Sequence, residues 1–178
     1  MFFESQDILI LRSKSNKTMV EGFESLNEEQ FTTCKHSVAW ITALIASSDG
    51  EFDKKEADWA KKIAEIRTYS SPDILLPFYK EVGQNFDEVL TSTLDGIPKD
   101  HEARKEILSE RLTKLNDIFP LLDNKLAYKL YKSFQSFAKH VAKSSGGFLG
   151  FFSISSEEKS LIDLPMLNPI EYINDEEE

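Results

Sequence analysis

Cysteine, positive charge and long apolar runs are all scarce in this sequence. The single cysteine, Cys34, cannot form an intramolecular disulfide, which favours the reducing cytosol over an oxidising compartment. No apolar run approaches the roughly 18 residues of a membrane-spanning helix. The first residues also lack the basic flank of a signal peptide. The sequence therefore predicts a cytoplasmic protein with no transmembrane segment.

Basic residues are outnumbered, with 21 Lys and Arg against 31 Asp and Glu, so the formal net charge is -10. Nucleic acids and anionic lipids attract basic surfaces, and this acidic balance argues against both as partners. Histidine is also rare: His36, His101 and His140 are far apart, and none has a second His or a Cys at ligand spacing. A zinc site is not expected, and each histidine is interpreted as a surface or core residue.

The 178 residues are 40% hydrophobic, enough for one sizeable core. After residue 25 the apolar positions recur every three or four residues, without the alternation of strands. We therefore predict an all-α fold: one compact bundle of about six to eight helices. The domain should span residues 26–165, preceded by an extension at 1–25 that packs on the core and followed by an acidic tail at 166–178.

Local signals mark where several helices begin and end. Asn27 followed by Gln30 predicts a capping box at the start of the first long helix. Pro77 should kink or restart a later helix, and Asn85 should open another. One long helix is expected from Lys99 to Leu122. Trp40, Trp59, Phe78 and Phe134 fall on helical faces and are predicted to lie in the core.

Carboxylates concentrate between the first two helices, in the stretch 46–56. Asp49 and Gly50 form a turn signal that should end the first helix. Asp53 and Glu56 form a second capping box that should open the next helix, and the helix dipole favours both carboxylates there. Capping therefore accounts for Asp53 and Glu56, but it leaves Asp49 and Glu51 without a structural role. This acidic turn is the candidate functional site.

A helix ending in small residues, then Asp49-Gly50 and Glu56 opening the next helix, resembles the signature of the TerB-like tellurite-resistance family. That resemblance implies an all-helical intracellular protein, associated with tellurite or another stress response and without catalytic activity. It also implies two related helix-turn-helix halves, whose acidic turns lie near each other and are suspected metal ligands.

The second half of this sequence departs from the family pattern. The stretch 142–148 aligns with 46–52, yet Ser145 stands in place of an Asp and Gly147 in place of Glu51. Glu158 is the counterpart of Glu56. If the two halves face each other, the candidate ligands of a divalent cation are Asp49, Glu51, Asp53, Glu56 and Glu158.

The cation would be calcium or magnesium, because both prefer carboxylate and carbonyl oxygens. Asp49, Glu51 and Asp53 alternate like the first ligands of an EF-hand loop. The comparison fails further on, because the sixth position is Lys54 instead of Gly and the twelfth is Ala60 instead of Glu. Any cation site would need ligands from elsewhere in the chain.

Two other interpretations remain open. In the first, the turn is only a pair of helix caps, and the domain is a structural or protein-interaction module without metal. Its partner would dock on an acidic face or on the Phe-rich connector at 148–152. In the second, Asp49 and Glu56 act as paired carboxylates in acid–base catalysis, which requires a deep pocket around them.

Overall fold

The computed structural model describes residues 20–47, 54–145 and 160–172. Six α-helices occupy these residues and no strand is present among them, so the predicted all-α fold and the helix count are both confirmed. The helices are α1 (Glu28–Ile45), α2 (Lys54–Ser70), α3 (Leu76–Asp95), α4 (His101–Thr113), α5 (Leu115–Ile118) and α6 (Asn124–Ser145). No helix in these ranges combines the length and apolar character needed to cross a bilayer.

The predicted capping box at the start of α1 is confirmed. The side chain of Asn27 accepts a hydrogen bond from the backbone N–H of Gln30 at 2.9 Å. In return, the backbone N–H of Asn27 donates to the Gln30 side chain at 3.0 Å. Two amides that have no partner within the helix are thereby satisfied, which fixes where α1 begins.

Prolines and one asparagine set the remaining boundaries. Pro77 lies in the first turn of α3, where its missing N–H costs nothing. Asn85 leaves the helical conformation inside α3 (φ −144°, ψ 21°), at the position where the sequence predicts a new helix start. The expected single helix from Lys99 to Leu122 is wrong: α4 ends at Thr113, and Phe119–Leu121 form a tighter 3₁₀ turn around Pro120.

The centre of the bundle is α1, which packs against all five other helices. Its polar residues are compatible with this burial because the hydroxyls of Ser37 and Thr42 donate to the carbonyls of Thr33 and Val38. Cys34 lies on the same buried helix, and burial raises the pKa of its thiol to about 12. We interpret Cys34 as a core residue.

A group of aromatic rings joins α1, α3 and α6. The Phe78 ring stacks on Phe23 with centroids 5.5 Å apart, meets Phe31 edge-on at 6.3 Å and contacts Phe134 at 6.0 Å. Such offset and edge-to-face pairs add to the hydrophobic contribution of each ring. Phe23 belongs to the predicted N-terminal extension, and its side chain is fully buried in this core.

Candidate functional site

The acidic turn joins two described helices. The structure ends α1 at Ile45 and begins α2 at Lys54, so the predicted carboxylate-rich connection lies between them. The backbone of Glu56 is in the first turn of α2. Asp49, Glu51 and Asp53 lie outside the described residues, as does Glu158. Whether these carboxylates meet stays a prediction, and so does the pairing of the two halves.

One histidine lies at the edge of this turn. His101 is the first residue of α4, and its Nδ1 is 3.1 Å from the carbonyl oxygen of Ser47. Its Nε2 is 3.6 Å from a carboxylate oxygen of Glu102. The imidazole therefore links the start of α4 to the chain that leaves α1. No local sequence pattern indicates this contact, because 54 residues separate the two partners.

The other two histidines have different surroundings. His36 lies half-buried beside the ring of Trp40, and burial together with the charge of Lys35 lowers the pKa of the imidazole. His140 is exposed, with its Nδ1 2.6 Å from the carbonyl oxygen of Ser136 one turn earlier. Within 20–47, 54–145 and 160–172, no group of three or more His, Cys, Asp or Glu side chains could hold a metal ion.

An apolar surface on α2 is the most distinctive feature of the described part of the chain. Among the described residues, five large hydrophobic side chains are exposed to solvent. Three of these five belong to α2: Trp59 (42% exposed), Ile66 (43%) and Tyr69 (69%). At 100° per residue, these three and Lys62 lie within an arc of about 80°. We call Trp59, Lys62, Ile66 and Tyr69 the α2 outer face.

The opposite side of α2 is small and buried. Ala57, Ala60 and Ala64, together with Ile63, pack into the core. The prediction that Trp59 belongs to the core is therefore wrong. The signal that identifies the outer face was in the sequence: residues 59, 66 and 69 share one side of the helix, and the alanines share the other. Alanine allows the helix to approach its neighbours closely, which leaves the larger residues outside.

Lys62 adds a positive charge to this face. Its ammonium nitrogen lies 5.9 Å from the centroid of the Trp59 ring, within the range of a cation–π contact. Two exposed carboxylates, Asp58 and Glu65, border the face along one side. On the same helix, Lys61 lies 3.5 Å from a carboxylate oxygen of Asp87 on α3. The α2 outer face is thus an apolar strip with an acidic edge.

Arg67 anchors α2 behind this face. Its Nη1 donates to the hydroxyl of Tyr79 at 2.6 Å, and to both the hydroxyl (2.6 Å) and the carbonyl (2.9 Å) of Ser133. Its Nη2 lies 3.4 Å from the hydroxyl of Ser136. The guanidinium carbon is also 5.1 Å and 5.2 Å from the ring centroids of Tyr79 and Phe137. One side chain thereby joins α2 to α3 and α6.

Comparison with protein-family models, with curated proteins and with solved structures finds no match to this chain.

The described surface offers one apolar face and one polar cleft. A firmly anchored helix that presents rings and an aliphatic side chain to solvent is suited to bury them against another protein. A second feature of the described surface is a cleft beside α3, lined by Asp87, Glu88, Thr91, Ser92 and Asp95 together with Lys61. Its residues are exposed or half-buried and lack the apolar lining that usually surrounds a small-molecule site.

Proposed function

We propose that this chain is a non-enzymatic helical module that binds another protein through the α2 outer face. The observation that carries the proposal is the clustering of Trp59, Ile66 and Tyr69 on one exposed side of a single helix. Tryptophan and tyrosine are enriched among the residues that dominate protein–protein binding energy, because each buries a large area at little cost in conformational entropy.

The anchoring of α2 by Arg67 supports the same interpretation. An interface gains affinity when its residues are already held in the bound arrangement, since less ordering is required on association. Arg67 provides this by joining α2 to two other helices through hydrogen bonds and ring contacts. The alanine-lined inner side of the helix adds close packing.

The charges around the face indicate the chemistry of the partner. Lys62 already lies over the Trp59 ring, and Lys61 already lies near Asp87. Asp58 and Glu65 are the exposed charges that border the face, and the chain as a whole carries −10. We therefore assign as partner an amphipathic helix with an apolar stripe flanked by Lys or Arg.

A second copy of the chain is a poorer occupant. In a two-fold antiparallel pairing of α2 with itself, the same side of each helix meets its counterpart. Asp58 and Glu65 would then face Glu65 and Asp58 of the other copy, and like charges opposite one another disfavour the contact. The net charge of −10 on each copy adds to this repulsion.

A photo-reactive amino acid at position 66, activated in the native cell, tests this proposal. We expect one discrete covalent adduct, because a partner helix would lie within bond-forming distance of Ile66. The matched control is position 121, where Leu121 is 44% exposed, almost the same as Ile66, but lies outside α2. The adduct should be absent from the control and lost when Trp59→Ser and Tyr69→Ser are combined.

The identity of the captured protein decides the charge assignment. A synthetic helix from that protein should carry basic residues, bind the intact chain, and bind the Asp58→Lys, Glu65→Lys variant at least tenfold more weakly. Absence of any adduct at position 66 in a folded chain would contradict the proposal, and so would the same adducts from position 121.

A divalent cation at the acidic turn is the second proposed property, and with it the TerB-like assignment. Its support is the sequence pattern of Asp49, Glu51, Asp53 and Glu56, together with helices that end and begin on either side of the turn. Calcium or magnesium suits such oxygen donors. We keep an association with stress response and a cytoplasmic location as parts of the same proposal. The single cysteine supports that location.

A further inference from the structure

Lysine is concentrated on the outer side of α6. This helix contains five Lys and no Asp or Glu, whereas each of the other five described helices contains at least one acidic residue. The five lysines are all exposed: Lys125, Lys129, Lys132, Lys139 and Lys143. At 100° and 1.5 Å per residue, they lie within an arc of about 80° and along about 27 Å of the helix. We call these five residues the α6 basic stripe.

The positive charge of the stripe is only partly balanced. Among the described residues, Lys139 is the one lysine of the five that pairs with a carboxylate, and its Nζ lies 3.0 Å from an oxygen of Asp163. Lys132 instead lies over the rings of Tyr128 and Tyr131, with its Nζ 5.8 Å and 5.7 Å from their centroids. The contact of Asp163 shows that a carboxylate from another segment fits on the stripe.

The stripe does not stabilise the helix that carries it. Lys125 and Lys129 are one turn apart, as are Lys139 and Lys143, and like charges at this spacing repel each other. Lys125 also lies in the first turn of α6, where the helix dipole disfavours a cation. The opposite side of α6 holds the helix in the core, for example through the fully buried ring of Phe134. The fold therefore does not account for the row of lysines.

We propose that the α6 basic stripe binds an acidic α-helix of a partner protein, in which Asp and Glu recur every three or four residues along one side. Successive lysines of the stripe are separated by four, three, seven and four residues. A helix that lies along α6 presents carboxylates at matching intervals, so that several ion pairs form together. The stripe shares no residue with the α2 outer face, and this proposal does not rest on that face.

Nucleic acid and an anionic membrane fit the stripe less well. Both present phosphates over an area wider than one helix, and exposed carboxylates border the stripe: Asp123 precedes α6, while Asp163 and Glu171 belong to the segment beside it. These carboxylates lie within the screening distance of roughly 8 Å and repel phosphate. Between the lysines, the outer side of α6 carries Ser136 and lacks an aromatic ring to stack on bases or an apolar side chain to enter a membrane.

The chain itself is a poorer source of the carboxylates. The acidic run 175–178 has four consecutive residues, which span at most about 11 Å, less than half the length of the stripe. On α4, Glu102, Glu106 and Glu110 are exposed on one side but cover only about 12 Å. Glu102 also pairs already with Lys105 at 2.9 Å. A partner with a longer acidic row is therefore the better occupant.

Two synthetic helical peptides of identical composition test the proposal. The first places its glutamates every three or four residues along one side of the helix, and the second distributes the same glutamates around it. Titration of the intact, isotope-labelled chain, followed by NMR at low ionic strength, measures both affinities. We expect the first peptide to bind about tenfold more tightly and to shift the amide signals of α6, because it alone matches the row of lysines.

Charge reversal locates the binding on the stripe. Lys125→Glu and Lys129→Glu combined should weaken binding of the first peptide by about tenfold, since two attractions become two repulsions. The matched control is the combination of Lys80→Glu and Lys99→Glu, which changes the net charge equally at exposed positions outside α6. The control should bind the peptide as tightly as the unchanged chain. Circular dichroism confirms that both variants are folded.

Four results would overturn the proposal. Equal affinity for the two peptides, or an equal loss in the two variants, would mean that binding follows total charge alone. Failure of the intact chain to bind the first peptide would exclude an acidic helix as its partner. If neutralising the acidic run 175–178 restored that binding, the chain's own carboxylates would be the occupant. Tighter binding of oligothymidylate, or of vesicles with equal parts of phosphatidylserine and phosphatidylcholine, would assign the stripe to phosphates.

Discussion

Replacing Arg67 with methionine should lower the free energy of unfolding by about 2–3 kcal/mol. Hydrogen bonds from a charged donor contribute about 1.5–3 kcal/mol when one partner is removed, and Arg67 makes several around one guanidinium. Methionine keeps an unbranched chain of good helix propensity, so the loss reports mainly on the hydrogen bonds and ring contacts. Urea denaturation monitored by circular dichroism gives the value.

Arg111→Met is the matched control for this experiment. Arg111 lies on α4 with its guanidinium carbon 5.9 Å from the Trp40 ring centroid, a single cation–π contact. A contact of this kind contributes about 0.5–1 kcal/mol near a surface. If the two substitutions cost the same, Arg67 is not the anchor that joins α2 to α3 and α6. A double-mutant cycle should show that the effects of Arg67→Met and Ser133→Ala on the free energy of unfolding are coupled. The effects of Arg111→Met and Ser133→Ala should be additive.

Calcium or magnesium should raise the free energy of unfolding by about 2.7 kcal/mol when the free cation is present at a hundred times its dissociation constant. The reason is that a folded carboxylate cluster binds the cation, while an unfolded chain scatters the ligands. Thermal melting at increasing cation concentration measures the rise, and calorimetry gives the dissociation constant. Asp49→Ala should abolish both the heat of binding and the stabilisation.

The chain offers a close control for Asp49, because a second Asp-Gly pair occurs at Asp95-Gly96. Gly96 caps the end of α3, and Asp95 is exposed. Asp95→Ala should therefore keep the full response to the cation. If calcium and magnesium leave the stability of the protein unchanged, the turn is only a pair of helix caps. The same conclusion follows if the cation stabilises the Asp49→Ala and Asp95→Ala variants equally.

Local signals in the sequence predicted the helices well. The capping box of Asn27 and Gln30 depends only on residues three apart, and Pro77 acts on its own turn, so both could be identified without tertiary contacts. The division of the segment from Lys99 to Leu122 was missed. Its apolar residues continue in helical register through Lys114, and register alone does not show where a helix ends.

The features that suggest function required the tertiary structure. Arg67 contacts residues 12 and 66 positions away, and no local pattern indicates that three helices converge on one guanidinium. The contact of Asn116 is similar, because its side chain donates to the carbonyl of Met166, 50 residues later in the chain. Trp59 is different, because the spacing of the alanines on α2 indicates which side faces inward, and helical phase predicts its exposure better than its aromatic character does.

The most direct test of the α2 outer face compares one substitution at two neighbouring positions of that helix. Ile63 is buried and Ile66 is 43% exposed. Urea denaturation should show that Ile63→Lys lowers the free energy of unfolding by about 3–5 kcal/mol, since it removes a buried side chain and buries a charge. Ile66→Lys should change it by less than about 1 kcal/mol. Equal losses at the two positions would mean that Ile66 supports the fold, and the face proposed to bind a partner would not exist.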